Sequence, residues 1–236
     1  MRTKTLLLSA VALAAGVLAS QAQSNVYSAN VVGYANVVLK GNGQYTLVAN
    51  PFDDGKGNQF TNLIDSANSL PKQSQVLTWN GSGFNITQKA GTPAVWPGSS
   101  SLPPGNGFFV RNGGVGSGAP NITNTFVGSV VVPNGSSVTN SLPVGFTLNG
   151  TPIPYAGNLA IAGQSSGDTN MDFGGPLTKQ SQILTWDPVA QGYIITQKAG
   201  TPAVWPVNVT IAPTDGFFVN NKNGPATNAV ETLNLQ

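Results

Sequence analysis

Eleven consecutive residues occur twice in this chain: Thr87–Pro97 and Thr196–Pro206 both read TQKAGTPAVWP. The likeness spreads in both directions. Lys72–Trp79 (KQSQVLTW) and Lys179–Trp186 (KQSQILTW) differ only at Val76/Ile183, and Gly107–Val110 and Gly216–Val219 are both GFFV. All the tryptophans, Trp79, Trp96, Trp186 and Trp205, lie in these stretches. A chain written twice from one plan is expected to fold as two like units, either as separate beads or packed as one pseudo-twofold domain. Each unit would hold roughly 100 residues, enough to bury well over half of its unfolded surface. The sequence contains no Cys, so burial rather than disulfide bridging has to supply the stability.

Between the copied stretches, 29 Gly and 17 Pro punctuate short apolar runs, which is the pattern of an all-β protein. In the first half, strands are predicted at Val31–Leu39, Tyr45–Ala49, Gln75–Trp79, Phe84–Gln88 and Phe108–Arg111. In the second half they are predicted at Phe126–Val132, Gly145–Leu148, Gln182–Trp186, Tyr193–Gln197, Val207–Ile211 and Phe217–Asn220. The copies diverge just after the first tryptophan of each. Asn80-Gly81-Ser82-Gly83 precedes Phe84, whereas Asp187-Pro188-Val189-Ala190-Gln191-Gly192 precedes Tyr193. Asn-Gly and Asp-Pro start turns, and a length change at a turn is what a β-hairpin tolerates. One helix is predicted, Gln59–Ser69, because Phe60, Leu63, Ile64 and Ala67 share a face. The Gly- and Asn-rich run Arg111–Asn124 reads as the junction. The chain is thus expected to be all-β, with two tandem pseudo-repeat units of sandwich or barrel-like form. Residues 1–22 would be a signal peptide, 23–118 the first unit and 119–236 the second.

The export reading rests on the N-terminus. Arg2 and Lys4 precede the uncharged apolar run Leu6–Leu18, and Ser20-Gln21-Ala22 fits a small-x-small cleavage site. Cleavage is expected after Ala22, with the mature protein secreted or held at the cell surface. The apolar run is shorter than the ~20 residues of a membrane span, and no later stretch qualifies. Once Arg2 and Lys4 are removed, eight basic residues face eight acidic ones. No basic stripe remains for nucleic acid. Charged residues make up only 8% of the chain, against a usual ~25%. Such a surface has little charge repulsion to oppose self-association.

Several chemistries are excluded by residue type. Without His or Cys, the chain can build neither Ser-His nor Cys-His nucleophilic machinery nor a zinc site from those ligands. No cofactor is expected. Among the carboxylates only Asp65 and Asp172 correspond between copies, each seven residues before the shared Lys72 or Lys179. They could meet across an interface as a glycosidase pair does; a turn or cap role is the simpler reading. Asp168, Asn170 and Asp172 spell the D-x-N-x-D of a calcium loop. However, Gly174 comes one place late and Lys179 stands where a bidentate Glu is needed. An Asx-turn loop competes with it.

The tryptophans remain. Trp79 and Trp186 end alternating strands and read as core. Trp96 and Trp205 sit in a Pro-bounded loop. They could be platforms for a sugar ring, with Gln88, Lys89, Gln197 and Lys198 as polar neighbours. They could equally be plugs closing one end of a sandwich, the favoured reading because large aromatics are usually mostly buried.

These motifs also carry a resemblance. The order G-x-YTLVANPF, VLTWN-x-x-GF, a Trp loop and LPPGNGFFV resembles a module of secreted bacterial β-proteins. SNVYSANVVGYANVVL, TFVGSVVV and VGFTLNGTPIPYAG are similar to uncharacterised secreted repeat β-proteins of Verrucomicrobia-like bacteria. The similarity covers nearly the whole chain after Ala22. It implies an exported, all-β, non-catalytic surface protein and brings no functional residues with it. The second unit departs from the pattern, with Ala212-Pro213-Thr214-Asp215 in place of Leu102-Pro103-Pro104-Gly105. The expected function is a structural or interaction role at the bacterial cell surface or in the extracellular matrix, with itself as partner. The alternative is a carbohydrate-binding module that holds a glycan on its loop tryptophans.

Overall fold

Copied residues form matching strands. The computed structural model describes residues 32–234, so the expected signal peptide lies outside the described residues. The first half runs β1 (Val32–Leu39), β2 (Tyr45–Ala49), the helix α1 (Phe60–Ile64), β3 (Gln75–Trp79), β4 (Phe84–Gln88), β5 (Ala90–Gly91), β6 (Ala94–Val95), β7 (Gly107–Arg111) and β8 (Ile122–Ser129). The second runs β9 (Ser137–Leu142), β10 (Gly145–Asn149), β11 (Gly157–Ala160), β12 (Met171–Asp172), β13 (Gln182–Asp187), β14 (Gly192–Gln197), β15 (Ala199–Gly200), β16 (Ala203–Val204), β17 (Val209–Ile211), β18 (Phe217–Asn221) and β19 (Thr227–Thr232). The all-β expectation holds. Sheets dominate, α1 is a single short turn of helix, and none of the sheets closes into a barrel.

Two four-stranded antiparallel sheets carry the copied residues, in the orders β2-β7-β3-β4 and β10-β18-β13-β14. Their registers agree: Leu77 faces Phe109 and Leu184 faces Phe218, while Trp79 pairs with Phe84 and Trp186 with Tyr193. Both sheets are apolar on both faces, which explains why GFFV and VLTW read as unbroken apolar runs rather than alternating ones. Val76, Phe108 and Val110 face a core with Phe52 and Phe60; Ile183, Phe217 and Val219 face one with Phe173 and Trp205. The opposite faces meet in a third cluster containing Leu47, Leu77, Phe109, Leu184 and Phe218. At this seam Ala49 N donates to Thr214 O and Gly150 N to Gly105 O, both at 2.8 Å. The backbones come so close that a Cβ on Gly107 would lie 2.5 Å from Asn149 O, and one on Gly216 2.7 Å from Val48 O. The glycine of each GFFV is therefore a spacing requirement.

The structure departs from the sequence reading in three places. Strand β8, read with the second unit, pairs along its whole length with β1, as β9 pairs with β19. By pairing, β8 completes the first copy, and the Gly-rich run after β7 is a loop within it. The predicted helix Gln59–Ser69 shrinks to Phe60–Ile64. Asp65 leaves helical geometry at φ −142°, and its carboxylate accepts the N–H of Leu70 at 2.8 Å. At the corresponding place the second copy has β12, paired with β19. Finally, strands lie where none is expected: β9 and β19, which are polar and bear Asn and Thr, the short β11 and β12, whose Leu159, Ala160 and Met171 are buried, and the two-residue β5, β6, β15 and β16.

Candidate functional site

The copied lysines lie just past the ends of β4 and β14 and point inward. Lys89 Nζ bonds Asp65 Oδ2 and the Leu70 carbonyl, both at 2.6 Å, and the two charged side chains are each 1% exposed. Trp96 Nε1 donates to the same carboxylate at 2.7 Å, and its ring packs edge-on to Phe60 at 5.0 Å. Asp65 thus satisfies a lysine, an indole and a backbone N–H at once.

The second copy solves the same problem differently. Lys198 Nζ donates to the carbonyls of Ser165, Gly174 and Leu177 at 2.7, 2.9 and 2.7 Å. Asp172 turns away, with its Oδ1 accepting the N–H groups of Gly167 and Gly175, each at 2.7 Å. Loss of water pushes the Lys198 ammonium below its ordinary pKa, and the charge of Asp172 opposes that push. Trp205 is fully buried beside it, with Nε1 3.4 Å from Gly174 O. Both lysines stand over their tryptophan rings, at 5.9 and 5.8 Å from the ring centres.

These placements locate every residue singled out from the sequence. Trp205 is an interior side chain, and a buried ring presents no face to a sugar. Trp96 is half-buried against the first core. Lys89 and Lys198 are buried. Gln88 and Gln197 are exposed and bond across their hairpins to Gln75 at 2.7 Å and Gln182 at 3.1 Å. Asp65 and Asp172 do not meet; each bonds within its own copy. Asp168 accepts Asn170 N at 3.3 Å in an Asx turn, and Asn170 Oδ1 accepts from Asn234 Nδ2 at 2.7 Å. Together with Asp172, the three side chains of the calcium-like loop are thus spent on separate local bonds.

What the structure adds is the seam. Trp79 sits edge-on to Phe84 at 5.1 Å and to Phe218 at 5.3 Å; Trp186 sits edge-on to Tyr193 and Phe109, both at 5.0 Å. Each indole also crosses to the other copy: Trp79 Nε1 donates to Phe146 O at 3.1 Å and Trp186 Nε1 to Tyr45 O at 3.0 Å. Tyr45 and Phe146 hold matching places at the starts of β2 and β10. Edge-on pairs like these add about 0.5–1.5 kcal/mol each beyond area burial. A cavity of ≈ 260 Å³ opens at the seam, lined by Trp79, Phe84, Phe146, Leu184, Tyr193 and Phe218. A second, of ≈ 380 Å³, has a mixed lining that includes Lys40, Thr46, Trp186 and Asp215. Desolvation there pushes the Asp215 carboxyl above its usual pKa, against the stabilising N–H of Ala212.

Sequence reasoning also missed Glu231, which is fully buried on β19. Desolvation pushes its pKa up to about 7, and the Thr151 and Asn140 side chains beside it offset only part of that. A folded-state pKa above the unfolded one means that the folded protein holds the proton longer. The contribution of Glu231 to stability is then full below the unfolded value and is lost as pH rises to about 7. The loss from Glu231 should be on the order of 3 kcal/mol. Urea melts at pH 4.5 and 7.5 should show the drop, and Glu231→Gln should flatten it; an equal slope in both proteins would remove Glu231 as its source.

Among the described residues no helix is long and apolar enough to cross a membrane. The chain matches no protein-family model, no curated protein and no solved structure.

Proposed function

We propose that this is an exported, non-catalytic interaction protein of a bacterial cell surface or extracellular matrix, and that it associates with copies of itself through the β1–β8 ribbon. The carrying observation is the outer face of that ribbon. Val32, Tyr34 and Val127 stand in solvent at 69%, 75% and 55% exposure, with Tyr34 directly opposite Val127. No further strand of the described residues pairs with β1. A free edge with an apolar face is a template for another chain unless charge blunts it, and no charged residue lies in β1 or β8. A neutral, apolar, self-complementary patch fits a second copy across a twofold axis. The near-neutral chain that remains after Ala22 supports the reading, as does the resemblance to exported repeat proteins.

This reading is preferred to the glycan platform because the interior takes Trp205 and both lysines. In the test, the protein lacking residues 1–22 is run by sedimentation velocity from micromolar to hundreds of micromolar. A concentration-dependent dimer is expected, weakened at least tenfold in Tyr34→Lys/Val127→Glu. A wild-type protein that stays monomeric throughout, or one that binds a glycan array and loses that binding in Trp96→Ala, would overturn it.

A further inference from the structure

The two ends of the aromatic seam share one frame but differ in what covers them. At the first end, Gln191 lays its carboxamide along the free edge of β2. Its Oε1 accepts the Tyr45 N–H at 2.7 Å, and its Nε2 donates to the Tyr45 carbonyl at 3.0 Å. A carboxamide used this way stands in for a neighbouring strand, because it offers one donor and one acceptor side by side. Trp186 Nε1 shares that carbonyl.

At the second end Phe146 takes the place of Tyr45, and Trp79 that of Trp186. The N–H and C=O of a strand residue point to the same side. The Phe146 N–H therefore faces outward beside the carbonyl that Trp79 reaches. Gly150, four residues on, turns its N–H the same way, towards Gly105. The hairpin at this end is two residues shorter. The side-chain Oδ1 of its Asn80 accepts the N–H groups of Ser82 and Gly83, at 3.0 and 2.9 Å. Among the described residues, no side chain hydrogen-bonds the Phe146 N–H. Phe146 is 43% exposed, and the aromatic cavity of ≈ 260 Å³ begins at its ring.

We propose that this end of the seam is a binding site for a peptide-borne carboxamide: a glutamine side chain on a partner protein's extended segment bonds the Phe146 N–H and C=O, while an apolar neighbour enters the cavity. The occupant is read from the protein itself, since the matching position in its other half already holds a glutamine, preceded by Val189 and Ala190. The cavity lining carries no charged side chain, so glutamate, which cannot donate to the carbonyl, is disfavoured. The site is separate from the ribbon face, and each proposal can fail without the other.

The probe is an acetylated, amidated peptide copying residues 187–191 (DPVAQ), titrated into ¹⁵N-labelled protein lacking residues 1–22. The Phe146 amide and the Trp79 indole N–H should shift in a saturable way, and the Gln→Glu peptide should bind at least tenfold more weakly. Trp79→Phe should weaken binding while the remaining amide spectrum is retained. A second variant guards against misfolding: residues 80–83 are replaced by the 187–192 sequence, supplying the glutamine in cis. It should slow hydrogen exchange at the Phe146 amide at least tenfold and abolish peptide binding. Equal shifts with both peptides, no shift at Phe146, or no added protection in the graft would overturn the proposal. So would phenol or hexanoate filling the cavity where the peptide does not bind.

Discussion

Asp65→Asn should destabilise the fold by about 3–5 kcal/mol, because it strands a buried charge. The substitution keeps size and shape and leaves one oxygen for the Leu70 N–H. It puts an NH₂ group where Lys89 Nζ and Trp96 Nε1 both donate, so three donor groups meet where the single oxygen Oδ2 accepted two. Lys89 then keeps only the Leu70 carbonyl. Asp172→Asn, at the matching position, should cost about 1 kcal/mol or less. Lys198 rests on backbone carbonyls, and an asparagine oxygen can still accept from Gly167 and Gly175. Urea denaturation of the two variants side by side reads the difference. Adding Lys89→Met to Asp65→Asn should recover part of the loss, since a buried apolar chain needs no counter-charge. Equal costs at Asp65 and Asp172 would mean that the two lysines are held in the same way, contrary to their hydrogen bonds.

Trp205→Ala should cost about 3–5 kcal/mol, the range for removing a large buried aromatic. Its ring has no exposure and forms one wall of the core beneath Lys198. Truncation would leave a void next to a buried ammonium, and water entering it would loosen the carbonyl cage. A typical domain is stable by only 5–15 kcal/mol, so this variant should lie close to unfolding at room temperature. Trp205→Phe, which keeps most of the volume, should fall in between and remain measurable. Trp96→Ala should cost less than Trp205→Ala, because that ring is half-buried. A Trp205→Ala protein with an unchanged urea midpoint would show that the loop can be emptied freely, and that its sequence identity between copies serves something outside the core.

Much of the fold is legible in the sequence. Duplicated GFFV and KQSQ-LTW runs mark the central strands because a sheet buried on both faces writes itself as continuous apolar sequence. Hairpin positions were readable because Asn-Gly and Asp-Pro admit few backbone conformations. The flanking strands were not. Segments such as SVTNSL and TNAVET are polar on one face and only modestly apolar on the other, and their pairing is decided by distant partners. The helix stops short of Ala67, which continues its apolar face in the sequence: at Asp65 the backbone leaves helical geometry, and the carboxylate there accepts from Leu70 and Lys89. The role of Gln191 was hidden in plain view. The two-residue insertion announced a longer hairpin, but only the three-dimensional neighbour, an open strand edge in the other copy, gives the added glutamine a partner. Glu231 had no signal at all in its own sequence context.

The seam has a consequence for how such a chain can vary. The cluster of Leu47, Leu77, Phe109 and Trp79 is completed by Leu184, Phe218 and Trp186 of the other copy, so a single copy on its own would have to find a second by diffusion. Fusing the two replaces that encounter with an intramolecular one at millimolar effective concentration or above. It also frees the halves from having to be identical. A homodimer must change both of its faces with every mutation; a fused pair can lengthen one hairpin and keep the other short, as residues 187–192 and 80–83 do.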